Sequence, residues 1–201
     1  MRTLMARIIA WSCAVLLSII VPSCKSGDGP SPPTASELVT QGWQAYSAKN
    51  YQTSADKFNQ AIGIDGNLVD AYNGAGWATA RLNQLATSIT RFTAGMTRDT
   101  ANLEIKAGLS IVYNAQRNYA QSILYASQVI AAQPAWSFSR DATVSGSDLH
   151  LLLAENFFAT ANYTAALAEV TILNGSFSAD VSTIAGQTAL AQEIERLRSI
   201  V

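Results

Sequence analysis

Residues Tyr51–Asp65 read YQTSADKFNQAIGID, and a version of this stretch returns 34 residues later and again 34 after that. Gly42 becomes Gly76 and then Ser110, Tyr51 becomes Leu85 and Tyr119, and Ser54 becomes Ser88 and Ser122. Phe58 becomes Phe92, and Asp65 becomes Asp99. A fixed period of 34 marks a helical-repeat solenoid, in which no unit buries its apolar face alone and each leans on its neighbours. Ser54, Phe58 and Ala61 stand four and three residues apart, which places them on one face of a helix. Asp65-Gly66-Asn67 supplies the turn chemistry that ends it.

Working outward, Gly42 at the eighth position frames a first unit over 35–68, with Leu38, Gly42 and Ala45 along the seam of its first helix. A second unit over 69–102 carries Tyr72, Gly76, Ser88, Phe92, Gly95 and Asp99. The third, over 103–136, keeps Tyr119, Ser122 and Pro134 in register, and Lys106 stands where the others have Leu38 and Tyr72. There an aliphatic stem packs while the ammonium reaches water. After Trp136 the register breaks, and 137–146, SFSRDATVSG, reads as an insertion between repeats. A fourth unit, 147–175, resumes with Ala154, Phe157, Tyr163 and Ala166, and Ser145 or Ser147 with Asp148 offers a helix cap. Over 181–201 a last helix places Leu190, Ala191, Ile194, Leu197 and Val201 on one side, suited to cover the end of an array.

The pattern resembles the tetratricopeptide repeat. The resemblance implies an all-α, right-handed superhelical solenoid of about four helix-turn-helix repeats, closed by a C-terminal capping helix. It further implies that the first helix of each unit lines a concave groove through positions 2, 5, 9, 12 and 13. Carried onto this chain, the ninth positions are Trp43, Trp77, Ile111 and Glu155. The twelfth are Tyr46, Ala80, Asn114 and Phe158, the fifth are Val39, Asn73, Ala107 and Leu151, and Arg81 stands at a thirteenth. The basic and Asn set with which some relatives clamp a C-terminal carboxylate is not reproduced. The partner-binding residues expected on this basis are Trp43, Tyr46, Asn73, Trp77, Arg81, Ile111 and Asn114.

Trp43 and Trp77 recur one repeat apart without belonging to the packing consensus, and two readings compete. As an aromatic platform for a peptide they stand exposed, because aromatics dominate interface hot spots. As packing residues they are covered by the tether or the final helix. A third use, stacking on sugar rings, requires planar polar partners, and acidic and amide side chains are not expected beside these tryptophans.

The N-terminus reads as a processing signal over 1–23. Arg2 and Arg7 precede an uncharged stretch, 8–21, too short for a bilayer-spanning helix, which needs about 20 apolar residues. Val21-Pro22-Ser23-Cys24 resembles the lipobox of bacterial lipoproteins, with Pro22 as a departure. The resemblance implies cleavage before Cys24 and a lipid on its sulfur and amine. The alternative is an ordinary signal peptide or retained anchor with Cys24 incidental. Residues 24–36 then form a Gly/Pro/Ser-rich tether, and 37–201 the solenoid. Cys13 leaves with the signal, so the mature chain has no disulfide partner for Cys24. By the sorting rule of enteric lipoproteins, Lys25 rather than Asp after Cys24 implies the outer membrane; the domain is expected to face the periplasm, with the inner membrane and the cell surface as alternatives.

Composition narrows the function. Charged residues are 13% of the chain and the net charge is -1, or -3 once Arg2 and Arg7 are removed, so nothing forms a nucleic-acid surface. Gly74-Ala75-Gly76 falls mid-helix and follows no strand, unlike a phosphate-binding loop. His150 is the sole histidine, so no two-histidine metal site and no HExxH exist, and G-x-S-x-G is absent. Asp148, His150 and Glu155 lie close in sequence, but His150 fills the packing slot of Leu38 and Tyr72. A non-catalytic adaptor without cofactor or metal is therefore expected, bound to the membrane through Cys24 and to another envelope protein through the groove. A carbohydrate-binding lipoprotein is the alternative. Cys24→Ala is expected to abolish labelling by a radioactive fatty acid, and undiminished labelling of the variant would remove the lipobox reading.

Overall fold

A computed structural model describes residues 31–200; the signal, Cys24 and most of the tether lie outside them. Within the unit Pro33–Val201 the described residues form helices α1 (Ala35–Ser47), α2 (Tyr51–Ile64), α3 (Val69–Arg81), α4 (Leu85–Met96) and α5 (Leu103–Ala115). There follow α6 (Tyr119–Ala132), α7 (Gly146–Ala159), α8 (Tyr163–Leu173) and α9 (Ile184–Arg198). No strand occurs among the described residues, only one isolated bridge between Ser137 and Ser145. Helices pack in sequential pairs, α1 with α2 through α7 with α8, and each pair packs on the next. The first helices α1, α3, α5 and α7 also touch in succession and form one continuous face.

The turn within each pair is built the same way four times. Lys49, Asn83, Arg117 and Ala161 all adopt left-handed backbone with φ of 60°, 58°, 60° and 61°. Their spacing of 34, 34 and then 44 residues places the ten-residue insertion independently of any side chain. Asn50, Asn118 and Asn162 follow three of them and cap the second helix, each side chain accepting a hydrogen bond from the third N–H. Between pairs, Asp65 and Asp99 carboxylates accept from the N–H two residues on, at 2.9 Å each. Asp148 closes the start of α7 by accepting from the Ser145 N–H and hydroxyl, both at 2.8 Å.

Glycines set how closely the pairs approach. The Phe58 ring on α2 fills the space that a Cβ would take at Gly42 on α1 and at Gly74 on α3. Phe92 on α4 does the same at Gly76 on α3 and Gly108 on α5. Both rings are fully buried, each worth about 1.5–3 kcal/mol by area. Ser88 and Ser122 tie the second helix to the first by donating to the Gly76 and Ser110 carbonyls at 2.8 and 2.7 Å. In the third unit Ala126 stands in the phenylalanine position, and in the fourth Leu152 stands where Gly74 and Gly108 do. Lys106 is half-buried, in keeping with its stem packing.

The core divides near the insertion. One cluster runs from Leu38 to Leu149, and a second joins Leu151, Ala154, Ala166 and Val170 to Leu190, Ile194 and Leu197 of α9. Helix α9 therefore packs on both α7 and α8 and covers the last apolar surface. It begins three residues later than the sequence pattern predicts, because Asp180 first closes a turn onto Ser182 and Thr183 then caps the helix. Asn174 and Arg196 both donate to Glu193, Arg196 at 2.6 Å; these bonds, Arg196 foremost, hold its carboxyl at about 2.

Gly74→Ala is expected to destabilise the chain by about 3 kcal/mol, since the new methyl collides with a ring that glycine also holds from the other side. Gly63→Ala, in α2 with open space around its Cβ position, is expected to stabilise by about 0.5–1 kcal/mol. Urea midpoints of the two variants check this, and equal midpoints would refute the interlock.

Candidate functional site

The groove formed by the first helices is not empty: the inserted segment lies in it. Two turns shape the segment, closed by the Asp141 N–H on the Phe138 carbonyl (3.2 Å) and the Val144 N–H on the Asp141 carbonyl (3.0 Å). Its base is pinned where Phe138 N–H reaches the Val144 carbonyl and Gly146 N–H reaches the Trp136 carbonyl, at 2.8 and 2.7 Å. Phe138 is then carried inward, 1% exposed.

Four consecutive residues each meet a receptor on α1, α3 or α5. The Phe138 ring stacks on Trp77, with centroids 4.2 Å apart and planes 18° from parallel. It meets Trp43 and Tyr46 edge-on at 6.1 Å each. The Ser139 hydroxyl donates to Glu104 at 2.6 Å, and Glu104 also accepts from the Asn73 amide at 2.7 Å. The Arg140 guanidinium lies over the Trp43 ring at 4.9 Å and 3.9 Å from Asp70, whose carboxylate accepts from the Trp43 indole N–H at 3.1 Å. Asp141 pairs with Arg81 at 2.6 Å, and Arg81 donates to the Tyr46 hydroxyl at 3.1 Å.

The electrostatics follow from these contacts. Burial pushes the Tyr46 phenol up, against the opposing bond from Arg81. For Arg81 burial works against the charge, but Tyr46 and Asp141 outweigh it and raise its pKa. The Thr143 hydroxyl and backbone, with Arg81, hold the Asp141 carboxyl below its usual range despite some burial. The Arg81 and Arg140 side chains remain 36% and 43% exposed, so each of these ion pairs contributes only about 0–1 kcal/mol. The ring of Phe138 is the main anchor.

Of the residues expected in the groove, Trp43, Tyr46, Trp77 and Arg81 converge on this segment, and Asn73 reaches it through Glu104. Ile111 borders it, lining with Trp77, Ala80, Arg81 and Val144 an unfilled space of about 140 Å³. Asn114 does not join them; its amide donates to Asn156, which donates to Ser122, making a buried polar seam between the third and fourth units. Trp43 and Trp77 are 5% and 3% exposed. Among the described residues the insertion lies over them, through Phe138 and Arg140, while α9 packs in the second cluster. The expectation that they lack acidic neighbours fails at Trp43, where Asp70 accepts from the indole. Asp148, His150 and Glu155 are drawn to separate partners: Asp148 to Ser145, His150 to Glu169 at 2.6 Å, Glu155 to Arg198.

Phe138, Ser139, Arg140 and Asp141 hold no repeat position, so the 34-residue period does not mark them as site residues. The signal present was a lone aromatic ring in a polar ten-residue insertion. Asp70 and Glu104 each stand at the second position of their unit, one of those said to face the groove.

Four helix pairs stacked on a shared first-helix face, with a terminal helix over the end, are the tetratricopeptide-repeat fold. Solved structures bear this out. The chain superposes on a crystal structure of MamA at 11% identity and TM-score 0.61, covering 84% of this chain and 83% of that one. MamA from residue 41 to its end, from Desulfovibrio magneticus RS-1, matches at 14% and 0.59 over 68% and 72%. A tetratricopeptide-repeat protein from Parabacteroides merdae ATCC 43184 matches at 10% and 0.59 over 82% and 60%. At these identities the likeness is one of fold. No protein-family model matches the chain, and no curated protein matches it in sequence.

Trp77→Ala is expected to cost about 3–5 kcal/mol of stability, the range for truncating a buried aromatic. Urea unfolding checks it, and a loss within about 0.5 kcal/mol, as at an exposed surface position, would refute the packing role.

Proposed function

We propose that this chain is a non-catalytic protein-interaction scaffold of the bacterial envelope, held by lipid on Cys24 to the outer membrane and facing the periplasm. Residues 24–36 set its reach from the bilayer, and the concave face of the solenoid receives a segment of another envelope protein. One observation carries the binding part of this reading. The concave face already holds a polypeptide turn, with an aromatic ring in an aromatic nest and charged residues of both signs around it. The anchoring part rests on the sequence around Cys24.

The sugar-binding alternative is less well supported. Phe138 occupies a face of the Trp77 ring and Arg140 lies over Trp43, so neither indole offers a free stacking surface there. Asp70 is engaged by Trp43 and Arg140.

Beyond the insertion the groove continues past Ile111 to a depression of about 340 Å³ bordered by Asn114, Arg117, Glu155 and Arg198. A photo-crosslinking amino acid placed at Ile111 or Glu155 in intact cells is expected to trap a discrete partner. The same probe at Leu124 or Ile64, exposed on second helices, is expected not to. Trapping from the second helices alone would overturn the groove as the binding face.

A further inference from the structure

Resting on the scaffold reading above, we propose that the 137–146 segment is a built-in occupant of the recognition groove. A partner displaces it by presenting the same chemistry, an aromatic residue followed two positions on by a basic residue and then an acidic one. The segment is the template for that partner. Phe138, Ser139, Arg140 and Asp141 each have a separate receptor: the Trp77–Trp43–Tyr46 nest, Glu104, Asp70 with the Trp43 face, and Arg81. These receptors come from three consecutive repeats, so the seat belongs to the solenoid and not to the loop.

Three features make the occupant exchangeable. Between Ser137 and Ser145 only Phe138 is buried, so one ring with half-buried Val144 beside it holds the segment against the groove while its polar contacts lie near solvent. The seat is incompletely filled, with a space of about 140 Å³ left between Val144 and the groove residues Trp77, Ala80, Arg81 and Ile111. Polar capacity is also left over. The Trp77 indole N–H and the Asn73 carbonyl oxygen, one helical turn apart on α3, are buried without a hydrogen-bond partner among the described residues. A donor and an acceptor so placed suit a polypeptide backbone, which supplies one of each per residue. A partner with a larger side chain beyond its acidic residue fills the gap, and its backbone meets the two orphaned atoms. Because the loop is tethered to the groove, it lowers the apparent affinity for any competitor by the fraction of time the seat is open.

The test uses the full lipidated chain in detergent and a fluorescent synthetic peptide of residues 136–146, WSFSRDATVSG. Fluorescence anisotropy is expected to show the peptide binding the Phe138→Ala chain at least about tenfold more tightly than the unaltered chain. The same peptide with alanine for its phenylalanine is expected to lose that binding. A second variant, Arg140→Ala with Asp141→Ala, loosens the loop from the surface without opening the core. It should shift affinity in the same direction, and it decides the matter if circular dichroism shows Phe138→Ala unfolded. Equal affinity for unaltered and loosened chains, or binding that ignores the peptide's ring, overturns the proposal. A loosened chain that becomes a dimer on size exclusion also overturns it, since the displacing segment would then be a second copy's loop. If crosslinking from Ile111 succeeds while loop variants leave peptide binding unchanged, displacement fails and the scaffold reading stands. Peptide binding without any crosslink from Ile111 or Glu155 gives the reverse.

Discussion

Phe58 between Gly42 and Gly74, and Phe92 between Gly76 and Gly108, set the spacing of the first three helix pairs. Each ring comes from the second helix of one unit and is gripped by the first helices of that unit and the next. The contact thus joins helices within a repeat and repeats to each other with a single side chain. Glycine is required because the ring occupies the volume of a Cβ on both sides. A smaller ring-side residue would leave a cavity, and a larger glycine replacement would wedge the pairs apart. The serines that bond to the first-helix carbonyl in the second and third units reinforce the same seam.

Where this interlock lapses, the solenoid changes character. Ala126 takes the phenylalanine position in the third unit, and Asn156 brings a buried amide to the boundary with the fourth, bonded to Ser122 and Asn114. The apolar core separates into two clusters near the same place, and the ten-residue insertion falls between the same two pairs. The fourth pair packs on the third through α7 and is covered on its far side by α9, which lies against both its helices. A polar seam of hydrogen-bonded amides and a hydroxyl fixes the alignment of the two parts where close ring packing does not.

The insertion turns back into the groove because its one aromatic ring finds there a nest of three others. A stacked and two edge-on contacts suit the opposed charge distributions of ring faces and edges. The charged contacts around the ring give orientation more than strength, since Arg140 and Arg81 keep much of their hydration. The groove's aromatic character thus serves stability, and under the proposal above the surface that buries Phe138 also sets what another protein would have to offer.

The repeat itself was legible in the sequence. A 34-residue period fixes which residues share a helix face, so the helix pairs follow from spacing, and the one-sided apolar pattern of the last helix marks its covering role; the grip of Phe58 and Phe92 between glycines of successive units needed the structure. The left-handed turn residues and the Asn caps repeat on the same spacing, and Asn50-Tyr51, Asn118-Tyr119 and Asn162-Tyr163 carry a signal that side-chain hydrophobicity passes over. Trp43, Tyr46, Trp77 and Arg81 were placed on the groove by their repeat positions. What lies against them was decided only by the tertiary structure. Phe138 and Asp141 belong to a segment with no period, and Asp141 meets Arg81 across 60 positions of chain. Periodicity encodes contacts between equivalent positions, whereas a loop folding onto a distant surface is selected by shape and charge that exist only once the solenoid has formed.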